Sequence, residues 1–193
     1  MLLNPFTRRT DPHLLAVSMT GVKMGDRVAF VGCANGGRLA AVASRVGLSG
    51  RAVAIVPDAR AAELARKGAE QLGVLVEIDV ASPAELPIED GSIDLAVVDD
   101  TGGLFGLMSA EPRAASVREL ARILRPGGRV ILFGATPRAG LAKLLAPGPP
   151  APPFAATSDA NQTLQANGFG IVRTLAEREG LVFVEGIKPR TKG

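Results

Sequence analysis

The run Val28-Ala29-Phe30-Val31-Gly32-Cys33-Ala34-Asn35-Gly36-Gly37 constrains this chain more than any other segment. A short apolar stretch stops at a glycine, and a helix-compatible pattern resumes after two more. That reads as a buried strand breaking through a tight turn into a helix, one unit of an open α/β sheet. In such sheets the turn lies at the carboxyl ends of the strands, where nucleotide-like ligands are held.

The rest of the chain repeats the alternation expected of βαβ units on a parallel sheet. Strands are expected at 27–31, 52–56, 74–79, 93–98 and 129–133, the last launched by Pro126-Gly127-Gly128. A lead-in helix is expected within 12–22, ending at Gly21. A helix after Gly36 carries Leu39, Val42, Ala43 and Val46 on one side and stops at Gly47. Asp58 suits the cap of a helix running to Leu72, with Gly73 as its stop. Pro112 suits the first turn of a helix ending near Leu124. The Pro-rich stretch 146–158 reads as a loop, followed by a helix to Asn167. Runs at 171–176 and 181–187 close the chain as an antiparallel hairpin. With 193 residues and no internal repeat, the expectation is a single domain spanning 1–193, with 1–22 as its lead-in.

Composition narrows function by exclusion. One cysteine forbids an intramolecular disulfide, and one cysteine with one histidine leaves no His/Cys metal site. A reducing, cytoplasmic setting fits, with neither a signal peptide nor a run of ~20 apolar residues. Net charge is only +3, basic residues are scattered, and there is no Trp or Tyr to stack on bases, so nucleic acid is not an expected partner.

Three further segments carry a resemblance. They are Lys23-Met24-Gly25-Asp26-Arg27-Val28, Leu86-Pro87-Ile88-Glu89-Asp90-Gly91-Ser92-Ile93-Asp94, and Arg118-Glu119-Leu120-Ala121-Arg122-Ile123-Leu124-Arg125-Pro126-Gly127-Gly128. Together with the glycine turn, they resemble class I S-adenosylmethionine (SAM)-dependent methyltransferases of the small-molecule, ubiquinone/menaquinone-biosynthesis branch. The resemblance implies a Rossmann-like seven-stranded sheet, its first five strands parallel, with helices on both faces. It also implies SAM as cofactor and a small-molecule acceptor. Cofactor contacts are then expected from Gly32, Cys33, Ala34, Asn35 and Gly36, from Val56, Pro57 and Asp58, from Ser82, and from Asp99.

The chain departs from that family where polar contacts are expected. Aligned by motif, the acid of the first strand falls on Phe30, the second glycine of the turn on Ala34, the ribose-binding acid on Val56, and the acid after strand three on Ser82. Each hydrogen bond lost to a charged group costs roughly 1.5–3 kcal/mol. Phe30 stands either in the space SAM needs or in the sheet core. Asp58 is placed either to turn toward a ribose or to cap the next helix. Ser82 is a one-bond substitute or a loop residue before Pro83, and Asp79 is an adenine neighbour or a solvated strand end.

For chemistry, the candidates are Asp99 and Asp100 at the end of strand four and His13 in the lead-in helix. A metal role for the aspartates would need further ligands after strand five, and Leu132-Phe133-Gly134-Ala135-Thr136 supplies none. Cys33 reads as a packing residue. An NADP-dependent reductase, with Arg60 as phosphate partner, lacks both the G-x-G-x-x-G spacing and a catalytic tyrosine. Two readings remain: methyl transfer to a small molecule, or a non-catalytic protein on the same fold acting as a binding or partner subunit. The hairpin edge or the apolar Met1, Leu2, Leu3 and Phe6 could serve a homo- or hetero-oligomer.

Overall fold

The structure is a computed structural model that describes residues 13–136 and 154–190. Strands β1 (Arg27–Val31), β2 (Arg51–Val56), β3 (Glu77–Val80), β4 (Ile93–Asp99), β5 (Leu124–Ala135), β6 (Ile171–Arg178) and β7 (Leu181–Ile187) form one sheet. Its order is β3-β2-β1-β4-β5-β7-β6. The first five strands pair in parallel, and β7 inserts antiparallel between β5 and β6. Helices α1 (Leu14–Thr20), α2 (Gly36–Ala43), α3 (Ala59–Leu72), α4 (Ala110–Ile123) and α5 (Ser158–Ala166) cover it. Among the described residues no helix is long and apolar enough to cross a membrane.

Strand alternation sorts the core into two layers. Ala29, Val31, Val53 and Ile55 face one side, with Val117, Leu120 and Ile123 of α4 and Leu164 of α5. Val28, Phe30, Ala54 and Val56 face the other, with Leu39 and Val42 of α2 and Ala62 and Ala65 of α3. Phe30 is therefore a core residue. Its aromatic ring does the packing of a strand buried on both faces, at the position where the resemblance leads one to expect an acid.

The elements differ from the sequence reading mainly at their ends. The strand expected from residue 74 begins at Glu77, because the Val74 N–H returns to Ala69 O and completes the exit from α3. Pro126-Gly127-Gly128 does not precede β5 but lies within it. Ile93 pairs with Leu124 and Leu95 with Arg129, so the extra residues bulge out, while Gly127 N–H and Gly128 O bond Lys188. Helix α2 ends at Ala43, and tighter turns carry the chain on to Gly47. The lead-in helix spans Leu14–Thr20, and residues 1–12 lie outside the described ones. The stretch 146–158 is not loop throughout: Phe154–Ala156 form a 3-10 turn and Ser158 opens α5, while 146–153 lie outside the described residues. The final hairpin closes on Glu179-Gly180, both at positive φ, the signature of a two-residue primed turn.

Candidate active-site cleft

The carboxyl ends of β1, β2 and β4 enclose a cleft of about 310 Å³. Gly32, Cys33 and Ala34 form its floor, Pro57, Asp58 and Arg60 one wall, and Asp99, Gly102 and Leu104 the other. Gly32 has a φ of 80°, and a side chain there would meet Leu104 Cδ2 at 2.7 Å and Asp99 O at 3.0 Å. Only glycine turns the chain here and leaves the cleft open.

A larger groove of about 540 Å³ lies at the opposite end of the sheet, between the α2–β2 and α3–β3 connections. Its charged residues are Arg51 and Glu77, which pair with each other at 2.6 Å. The smaller cleft carries convergent polar groups, and that is where a polar ligand finds partners.

Asp58 combines two positions. Its Oδ1 accepts from Ala61 N–H at 2.8 Å, capping α3, and the residue also lines the cleft. Asp99, only 8% exposed, ends β4 on the opposite wall. Its Oδ1 accepts from Thr101 N–H at 3.0 Å, Thr101 Oγ1 at 2.5 Å and Arg38 Nη1 at 3.2 Å. The same Nη1 lies 3.3 Å from Oδ2 and 3.1 Å from Thr101 Oγ1, and the guanidinium sits over the Phe133 ring at 5.2 Å.

The other residues singled out from sequence scatter around this centre. Asn35 Oδ1 accepts from Arg38 N–H at 3.0 Å and caps α2. Gly36 packs against α3, where an added Cβ would come 1.9 Å from Leu64 O. Cys33 is buried, and burial, with help from the Asp99 charge, pushes its thiol up to about 11. It therefore stays protonated at neutral pH. His13 lies beside the start of α2, its Nε2 2.8 Å from where a Gly37 Cβ would be.

Val56 points into the core layer with α3 and offers the cleft no polar atom. Ser82 and Asp79 do not line the cleft, and the Ser82 hydroxyl accepts from Ala84 N–H within its own turn. Asp100 is fully buried and also off the cleft wall. Burial raises its pKa against the pull of N–H donors from Phe105, Gly106 and Phe154, so this carboxylate moors the loop after β4 to the 3-10 turn. Among the described residues, no three His, Cys, Asp or Glu side chains gather as a metal site.

Arg38 and Leu104 escaped the sequence reading. The available signal was Arg38, the only charged residue in the helix GGRLAAVA. A lone charge on so small and apolar a helix needs a partner, and Asp99 is that partner.

A family model described as "Methyltransferase domain" matches residues 28–128. An uncharacterised 37.1 kDa protein of a Streptomyces fradiae transposon is 35% identical over 108 residues, 56% of this chain and 30% of its own length. The ubiquinone/menaquinone biosynthesis C-methyltransferase UbiE of Pseudomonas savastanoi is 28% identical over 120 residues, 61% of this chain and 45% of its own. The chain thus spans less than half the length of these relatives. In structure, a SAM-dependent methyltransferase from Aquifex aeolicus superposes with a TM-score of 0.70 at 19% identity, covering 96% of this chain and 94% of that one. At that identity the likeness establishes the fold.

Proposed function

This chain belongs to the methyltransferase-domain family, and from that membership we propose that it binds SAM in the cleft above β1, β2 and β4 and transfers the methyl group to a small-molecule acceptor. One observation carries the reading: the cleft is open at the glycine turn, with a carboxylate on each wall, although the acids expected in β1 and at the end of β2 are Phe30 and Val56. Phe30 fills the core and leaves the ligand space clear.

The residues present suit the cofactor's chemistry. Gly32 admits a ligand against the backbone, as argued from its φ and its contacts. Asp58 has Oδ1 committed to the helix cap, and Oδ2, with no partner among the described residues, is available to a ribose hydroxyl. Displacing the acid from Val56 to Asp58 lets one carboxylate serve both cap and ligand. When bound, SAM would supply an electrophilic sulfonium methyl for transfer to an acceptor. The chain's part would be positioning: Leu104 and Ala34 give the cleft an apolar lining, and the two walls fix the ligand's direction. The likeness to UbiE supports a small, lipid-like acceptor.

A second reading, a binding protein on a methyltransferase fold, is favoured by the apolar side chains at Phe30 and Val56. Incubation with SAM labelled in its methyl group and a panel of quinone-like and phenolic acceptors separates the two. Label appearing in a small molecule supports the first; cofactor binding without transfer to any acceptor class supports the second.

A further inference from the structure

The groove at the other end of the sheet takes no part in the reading above, yet it gathers the most exposed apolar surface of the described residues. Leu48 (97%), Leu75 (84%) and Met24 (80%) are the three most exposed large apolar side chains among them. Leu48 and Leu75 line the groove, and Met24 Cγ lies 3.3 Å from where a Cβ on Gly47, another lining residue, would be. The rest of the apolar lining comes from Ala43, Val46, Val74 and Val76. Single exposed leucines are ordinary on a protein surface, whereas several gathered at one recess mark a contact surface. The groove also divides by charge. On the α2–β2 side, the charged residues from Ala43 to Ala52 are Arg45 and Arg51. On the α3–β3 side, those from Gly68 to Val80 are Glu70, Glu77 and Asp79. Arg51 and Glu77 already pair with each other at 2.6 Å, so covering them leaves neither charge alone.

A basic rim and an acidic rim with apolar side chains between them are complementary to the same surface turned over. We propose that this groove is a two-fold interface between two copies of the chain, with the axis running along the groove. The Arg45 rim of each copy then lies over the acidic rim of the other, and Leu48 of each meets Leu75 of the other. The symmetry makes every contact twice and closes the assembly at two. Edge-to-edge pairing of β3 offers no such match. Antiparallel pairing of that edge strand about Ile78 sets Glu77 opposite Asp79 of the second copy, two like charges on one face. The groove lies at the end of the sheet away from the cleft, so both clefts of the dimer stay open.

Sedimentation equilibrium of the full chain, from about 1 to 200 µM, tests this. The unmodified chain is expected to form a dimer with a dissociation constant of about 10 µM. Leu48→Asp is expected to weaken it at least about tenfold, because each dimer would then bury two carboxylates against the leucines. Arg45→Glu sets like charges on facing rims and is expected to weaken it about tenfold. Both side chains are exposed, so the urea midpoints of the variants should match that of the unmodified chain. A chain that stays monomeric at every concentration overturns the proposal and leaves the groove to a partner of another kind. So does an assembly larger than two, or a dimer that either substitution leaves intact.

Discussion

Asp58 carries two roles that substitution can separate. Replacing it with alanine removes the α3 cap and should cost about 1 kcal/mol of stability, measured by urea unfolding. Replacing it with asparagine keeps a capping oxygen, so stability should hold within about 0.5 kcal/mol, while affinity for S-adenosylhomocysteine falls about tenfold because a neutral acceptor replaces a charged one. Unchanged affinity in Asp58→Asn would confine the residue to the cap. Single residues of this kind were half legible in sequence. The cap was readable because Asp58 lies three residues from the N–H it accepts, a local relation. The pairing of Arg38 with Asp99 was not, because the partners are 61 residues apart and meet only once β1 and β4 are neighbours.

Helices α2 and α3 meet where Gly36 and Gly68 let their backbones touch: a Cβ on Gly36 would lie 1.9 Å from Leu64 O, and one on Gly68 2.2 Å from Gly36 O. Backbone atoms cannot swing aside as a long side chain can. Gly36→Ala should therefore force the helices apart and lower stability by about 3 kcal/mol, seen as a lower urea midpoint. In sequence Gly36 reads as a ligand-facing glycine, and its helix-packing role emerges only from the crossing. Helix α4 holds the segment before β4 through charge: Arg122 donates to Leu86 O, Ile88 O and Glu119, and Glu119 accepts from Leu86 N–H at 2.8 Å. The Arg122 guanidinium, aided by that N–H, holds the Glu119 carboxyl below its ordinary range. Its stabilising contribution is thus present above the unfolded carboxylate value of about 4.3 and is lost as pH falls through the lower folded value. Glu119→Gln should be less stable than the unmodified chain at pH 7 by about 1 kcal/mol, with the gap closing near pH 3. A gap independent of pH would assign the effect to packing. Element identity was readable from period and caps, whereas the bulge in β5 and the late start of β3 were not. Both depend on which backbone groups find partners in another strand or helix.

At the scale of the whole molecule, the sheet order brings the ends of β1, β2 and β4 side by side, and no single element could make the cleft. The central parallel strands β1, β2 and β4 were legible because a strand buried on both faces reads as a continuous apolar run. The same feature concealed the meaning of Phe30, since an apolar residue in such a strand fits either a blocked cleft or a filled core. The structure places it in the core with α1–α3, away from the cleft lining. The central claim is therefore that this cleft, stripped of the usual acids, still holds the cofactor. Calorimetric titration of the full chain with S-adenosylhomocysteine tests it most directly. A saturable heat with a dissociation constant in the micromolar range is the predicted result. No binding at millimolar ligand would contradict the account.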